Sequence, residues 1–254
     1  MPYLEVCGRS LEYEIIHAAD AAAPMLVFLH EGLGCLAMWK DFPQKLARAA
    51  GCGALVYSRH GYGNSARLGG QRRPEFMHDE ALVVLPALLE PLNVRDPVLF
   101  GHSDGASIAL IHAACSGRPV RGAIVTAPHV MVEDVCVRSI AAAKRAYETS
   151  DWRDRLGRYH ADPEGAFRGW CDIWLDPRFR EWSIEGLLTK IHCPVLAIQG
   201  YDDEYGTMEH IESIARHVSG TELLKLSNCG HSPHRDQPAA VLAAATRFID
   251  RIRS

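Results

Sequence analysis

Ser103 has a glycine two places before it and another two places after, in Gly101-His102-Ser103-Asp104-Gly105. The apolar run PVLF precedes this stretch, and IALIHAAC follows it at helical period. G-x-S-x-G between a buried strand and a helix is the context of a nucleophile elbow. The sharp turn forces its central residue into strained dihedrals, and the flanking glycines remove Cβ atoms that would collide. Such a turn sets the Ser103 hydroxyl at a helix N-terminus, where the positive end of the dipole favours a developing negative charge. The chemistry suggested is attack by an alkoxide-like oxygen.

A serine needs a base, most often a histidine held by a carboxylate. There are 13 histidines, so position has to choose among them. His231 lies in Asn228-Cys229-Gly230-His231-Ser232-Pro233, between the last expected strand and the last expected helix. A loop at the carboxyl end of a parallel strand is where open α/β sheets place ligands. His234 in the same loop reads as a structural or rim group. Cys229, His231 and His234 have no second ligand cluster to support them, and no metal is expected. The carboxylate should follow the preceding strand, where Gln199-Gly200-Tyr201-Asp202-Asp203-Glu204 offers three adjacent acids. A tight turn at Gly200 would aim one of them at His231. The others would cap the helix that begins near Thr207 or face water. After Met25–His30 comes the glycine-rich Glu31-Gly32-Leu33-Gly34-Cys35. A backbone N–H from this loop, with that of Asp104, would form an oxyanion hole, in which one donor is worth about 10²–10³ in rate. His30 reads as a hydrogen-bonder that pins the loop.

The elements that must position these groups alternate along the chain. Strands are expected at Leu11–Ile16, Met25–His30, Ala54–Arg59, Pro97–Ser103, Gly122–Ala127, Pro194–Gly200 and Glu222–Leu226. The middle ones are continuously apolar, as befits strands covered on both faces. Helices are expected at Trp39–Ala50, Glu75–Leu89, Ser103–Ser116, Met208–Val218 and Pro238–Arg251, the last opened by a proline that suits a first helical turn. This alternation predicts an α/β fold: a mostly parallel, doubly wound sheet with an antiparallel start from the N-terminal pair. Between about His129 and Lys190 no strand is convincing, and four of the five tryptophans gather there among charged residues. Sixty residues is too long for a plain connection, so a helical insertion at 129–190 is expected between core segments 1–128 and 191–254. Its aromatic residues would build its own core, with some lining a pocket against the sheet.

The 254 residues suit one large α/β domain, with 48% hydrophobic and 23% charged residues. A net charge of −4 gives no basic field to hold nucleic acid or an anionic membrane. No apolar run approaches the ~18–20 residues of a membrane span, and residues 1–20 lack a signal-peptide pattern, so a cytoplasmic protein is expected. The eight cysteines stand singly, with no CxxC pair, and read as free, buried, apolar thiols. No oligomeric state is implied.

With Ser103, an acid and His231 in that order, HEGLG upstream and a helical insert before the acid's strand, the chain resembles the α/β-hydrolase fold family, in its lid-bearing serine hydrolase and esterase branch. Ser58-Arg59-His60-Gly61-Tyr62-Gly63-Asn64-Ser65, a tight loop after a core strand, is similar as well. The resemblance implies that the acid stands three residues after the strand-ending glycine. That selects Asp203, with Asp202 as the alternative. It also implies an upstream oxyanion amide at Gly32, with Leu33 next. Glu31 departs from the family, standing where many relatives carry glycine. An acid there would oppose negative charge if it pointed inward, so it is expected to point away or to contact the loop backbone.

These features point to a serine hydrolase that cleaves esters of a small apolar or aromatic substrate through an acyl-enzyme, without a cofactor. Leu33, Trp152, Trp170 and Trp174 are the candidate substrate contacts. Activity is expected to rise with pH through roughly 6–7, because free histidine titrates near ~6.5 and the base must be neutral. On the same triad, thioesters, lactones, amides or C–C bonds of dienone-type acids are alternatives. The C–C reading requires a basic residue in the pocket, for which Arg59 and the arginines at 138, 145, 153, 155 and 158 are the candidates. A receptor that binds a small ligand without turnover is the reading from another class.

Overall fold

The computed structural model describes residues 1–20 and 22–253. Eight strands form one sheet: β1 (Tyr3–Val6), β2 (Arg9–Ile16), β3 (Met25–Leu29), β4 (Gly53–Tyr57), β5 (Val98–His102), β6 (Gly122–Thr126), β7 (Val195–Gly200) and β8 (Glu222–Leu226), in the order β1-β2-β4-β3-β5-β6-β7-β8. β1 and β2 pair antiparallel, as do β2 and β4, and every pair from β4 to β8 is parallel. This is the mostly parallel α/β sheet expected.

The helices are α1 (Phe42–Ala50), α2 (Phe76–Asp79), α3 (Leu85–Leu89), α4 (Asp104–Cys115), α5 (Asp134–Thr149), α6 (Trp152–Leu156), α7 (Pro163–Trp174), α8 (Glu185–Leu188), α9 (Glu209–His217), α10 (Pro233–Asp236) and α11 (Pro238–Arg253). Alternate side chains of each strand enter different cores. Leu26 and Phe28 of β3 pack with Leu46 of α1 and Phe248 of α11, whereas Val27 and Leu29 join the core of α4 and α9. Coverage on both faces is why the central strands read as unbroken apolar runs.

β1 has no counterpart among the expected strands. It is a four-residue edge in which only Val6 is buried, too short for its alternation to register. Its turn onto β2 uses Cys7 at φ 52° and Gly8 at φ 73°, the left-handed pair that suits a two-residue hairpin. The helix expected over 75–89 contains a wide π turn, Glu80–Val84, between α2 and α3. That turn precedes Pro86, which has no N–H to donate and whose ring would strike the Leu82 carbonyl in a regular helix.

The chain leaves the sheet after β6 and returns before β7. At the neck, Ile184 N donates to Val130 O at 2.8 Å and Met131 bridges to Ser183. Within this excursion Tyr147 stacks on Phe167, with ring centroids 3.7 Å apart, and Trp174 and Trp182 both pack on Phe179. All eight cysteines are free thiols. Among the described residues no helix is long and apolar enough to cross a membrane.

Candidate active site

Ser103 follows directly on β5 and precedes α4, with φ 53° and ψ −119°. The turn is held by Ser103 N donating to Thr126 O of the neighbouring strand and by Ala106 N donating back to Ser103 O. A Cβ on Gly105 would lie 2.0 Å from Leu29 O, and one on Gly101 would lie 2.5 Å from the Ala106 Cα. Helix α4 therefore starts pressed against β3 and β5, and only glycine fits at either place.

His231 arrives from the far edge of the sheet. Its loop leaves β8, with β7 and β6 between that strand and β5, and reaches Ser103 just past the end of β5. Gly200 permits this course, since a Cβ there would meet Cys229 O at 2.1 Å. The result is a hydrogen-bonded line. Ser103 Oγ lies 2.9 Å from His231 Nε2, and His231 Nδ1 lies 2.8 and 2.9 Å from the two Asp203 carboxylate oxygens. Asp203 also accepts hydrogen bonds from Tyr205 N and from Gln199 Nε2, both at 2.8 Å. Burial opposes the His231 cation, but the Asp203 carboxylate outweighs it, so the His231 pKa is raised from 6.5. Burial likewise opposes the Asp203 charge, yet His231 and the backbone N–H hold its pKa below the usual range. The expected rise in activity therefore moves above pH 6.5.

Of the three adjacent acids the structure brings only Asp203 to His231. Asp202 and Glu204 are exposed. Neither caps α9, because Thr207 at its start is bonded through both N and Oγ1 to Glu133 of the insertion.

The loop after β3 faces the elbow. His30 Nδ1 donates to Glu31 O at 2.7 Å, and His30 Nε2 accepts from Arg59 N at 3.0 Å, which pins the loop. Glu31 borders the cavity, but both its carboxylate oxygens are engaged. Oε2 is 3.3 Å from His102 Nδ1 and Oε1 is 3.1 Å from Arg235 Nη2. Burial would raise its pKa, but the His102 and Arg235 contacts prevail and hold it well below the carboxylate norm.

Gly32 and Ser103 open onto a small cavity of about 110 Å³. Its apolar wall consists of Leu33, Cys136, Ile140, Trp170, Trp174 and Tyr205, and its polar side of Glu31, Ser103, His129 and His231. An apolar cavity of ~150 Å³ holds benzene, so this one suits a short group. The insertion supplies much of the wall. Trp170 lies so close to Gly32 that a Cβ there would meet its ring at 2.1 Å, and Trp174 Nε1 donates to Asp104 Oδ1 at 3.1 Å.

Trp152 is a correction. It packs edge-on against Phe167 at 5.7 Å, in the aromatic core of the insertion, and does not line the cavity. As the first residue of the short helix α6, it faces α7 rather than the sheet. Arg59 and the insertion arginines do not line the cavity either. Arg59 is fully buried, donates to His30 O and Glu31 O, and pairs with Asp104 at 3.5 Å. Arg138, Arg145, Arg153, Arg155 and Arg158 are exposed on the outer surface. His234 is buried between Trp39 and Phe42, a packing residue.

Sequence reasoning missed His129, Cys136, Ile140 and Tyr205. Cys136 and Ile140 are four apart on α5 and so share a face, a signal the spacing carried. His129 follows a strand's carboxyl end and Tyr205 follows the acid by two, both positions where site residues gather.

A sheet of this order with a strand–serine–helix elbow and a serine–histidine–aspartate line above its parallel strands defines a class of hydrolase-type α/β enzymes. Residues 26–245 match the sequence model of the Alpha/beta hydrolase family, and the chain belongs to that family. It is 25% identical to the 2-succinyl-6-hydroxy-2,4-cyclohexadiene-1-carboxylate synthase of Enterobacter sp. (strain 638), covering 91% of this chain and 94% of that one. Among solved structures it is similar to the enol-lactonase of Burkholderia xenovorans LB400, with a TM-score of 0.76 and 20% identity over 98% of this chain and 100% of the other. It is also similar to a thermophilic esterase of Thermogutta terrifontis, with a TM-score of 0.76 and 18% identity over 100% and 99% of the two chains.

Proposed function

We propose that the protein is a serine hydrolase that cleaves carboxylic esters with a short, uncharged, apolar acyl group through an acyl-enzyme. The observation that carries this reading is the continuous hydrogen-bond line from Ser103 Oγ through His231 to Asp203, opening into a small apolar cavity. His231 Nε2 takes the Ser103 proton as Oγ attacks the ester carbon, while Asp203 holds the Nδ1–H tautomer and stabilises the imidazolium. The amides of Gly32 and Asp104 receive the oxyanion. Collapse expels the alcohol, protonated by His231. Water, deprotonated by the same histidine, then releases the acid and restores Ser103.

Charge argues for a neutral substrate. None of the described residues that line the cavity is Lys or Arg, and Glu31 is its one permanent charge. A carboxylate-bearing substrate, such as the name of the Enterobacter relative implies, would lose its hydration there with no counter-cation. The dienone-acid alternative is weakened on this ground. A lactone is a cyclic ester and would open by the same steps.

The test is a panel of p-nitrophenyl esters from acetate upward, with an aryl-acid ester and a carboxylate-terminated one. Short neutral esters should give a burst of p-nitrophenol, and the pH–rate profile should rise with an inflection above 6.5. Ser103→Ala should abolish turnover without lowering the melting temperature. Turnover that survives in Ser103→Ala, or a preference for the charged ester, would overturn the reading.

A further inference from the structure

His231 reaches Ser103 from the wrong side of two strands. β8 is the sheet edge, and β7 and β6 lie between it and β5, so no strand pairing sets where the loop comes to rest. The Asp203 bond orients the imidazole but does not itself hold the main chain of the loop. Two of the loop's backbone contacts stay on its own side, Cys229 O with Asp202 N and Gly230 N with the Asp236 carboxylate. The bond that reaches β5 comes from His102, the neighbour of Ser103. Its Nε2 lies 2.7 Å from His231 O and, facing a carbonyl, has to carry the hydrogen.

The other nitrogen of the ring also faces an acceptor, Glu31 Oε2 at 3.3 Å. The second Glu31 oxygen receives Arg235 Nη2 at 3.1 Å, and the same nitrogen donates to Met38 O at 3.3 Å. Arg235 belongs to α10, directly after the His231 loop. The circuit thus runs from the elbow to the His231 carbonyl, along the loop to Arg235, across to Glu31, and back to His102. Around the fully buried His102 ring stand Glu31, His231, His234 and Trp39. Burial, then the neighbouring His102, pushes the His234 pKa far down, so Glu31 and Arg235 are the fixed charges of the group.

We propose that His102 is a positioning residue for His231: its Nε2–H holds the His231 carbonyl while Glu31 and Arg235 tie the same loop to the strand ends beneath it, together fixing the imidazole over Ser103. The proposal rests on the ester-hydrolase reading of Ser103 and His231. It also gives Glu31, the departure from the family pattern, a use other than contact with substrate.

The experiment compares His102→Leu, His102→Gln and Glu31→Gln with the parent enzyme on p-nitrophenyl butyrate. Loss of the brace should lower kcat in His102→Leu by about 10²-fold, the cost of a misplaced group, with KM little changed. Glutamine carries a nitrogen near the position of the imidazole Nε2, so His102→Gln should recover at least tenfold of that loss. Glu31→Gln removes a negative charge that supports the His231 cation, so its pH–rate inflection should move to lower pH. A merely structural role would not produce the rescue. Equal activity in His102→Gln and His102→Leu at equal melting temperature would overturn the proposal. Should His102→Leu fail to fold, His102→Gln decides against the parent: a kcat within about tenfold supports the proposal, and a loss of about 10²-fold or more at an unchanged melting temperature overturns it. Residual turnover in Ser103→Ala would instead sink the ester reading.

Discussion

Asp202 and Asp203 put the same carboxylate to two uses. Asp203 is buried against His231 and saturated with hydrogen bonds, while Asp202 faces water and contributes only its backbone N–H to the Cys229 carbonyl. Asp203→Asn should therefore cost about 10⁴-fold in kcat by fixing the wrong imidazole tautomer. Asp202→Asn keeps its amide and should change kcat by no more than about twofold, as a surface substitution does. The two rates on one ester settle it, and the reverse order would move the acid role to Asp202. This distinction was not legible in residue types or spacing. It depends on how the turn after Gly200 aims three adjacent side chains, which is a matter of dihedrals. Ser103 and His231 were legible because each follows a recognisable strand. His102 was not, because its role depends on a carbonyl 129 positions away.

At the scale of elements, the central strands were readable because burial on both faces leaves only apolar residues. Their ends were not. The expected strands ran on through His30, Arg59 and Ser103, yet in the structure β3, β4 and β5 stop at Leu29, Tyr57 and His102. Those extra residues are the ones that turn out of the sheet to build the site, and hydropathy does not mark where pairing ends. The tryptophans of the insertion divided in a way composition could not foresee. Trp170 and Trp174 face the elbow, while Trp152 stays in the insertion's own core. Trp170 presses on Gly32 and forms part of the cavity wall. Trp170→Leu should therefore shift preference from acetate toward longer acyl chains by at least tenfold in the kcat/KM ratio, each added methylene gaining ~0.8 kcal/mol on burial. An unchanged chain-length profile would show that acyl groups bind elsewhere.

Across the whole molecule, the insertion is moored to the sheet region by more than its neck. Glu133, just before α5, accepts from Thr207 N and Oγ1 and lies 2.9 Å from His210 Nε2, so α5 and α9 meet on one carboxylate. Burial disfavours the Glu133 charge, but the His210 and Thr207 hydrogen bonds prevail and pull its pKa down to about 2 from 4.5. A carboxyl depressed in the folded state stabilises it above the unfolded pKa, and that support is lost as pH falls through the folded value. The parent protein should thus be more stable than Glu133→Gln at neutral pH, by on the order of 3 kcal/mol at most. The gap should close between pH 4.5 and 2, as read from melting curves across that range. A gap that persists at pH 2 would mean that the carboxylate is not what joins the two helices. None of this mooring was foreshadowed in the sequence, where Glu133 is one acid among many.

The left-handed backbone of Ser103 has an outcome for heat tolerance. A residue with a side chain at φ 53°, ψ −119° is held in a poorly populated conformation, at a cost of roughly 1–3 kcal/mol. Glycine adopts such dihedrals freely, though its looser unfolded chain takes back roughly 0.4–1 kcal/mol. With the hydroxyl absent from both, Ser103→Gly should melt at a higher temperature than Ser103→Ala by calorimetry. If it does not, the turn is relaxed as built. If it does, the working molecule is softer to heat than one of its own inert variants.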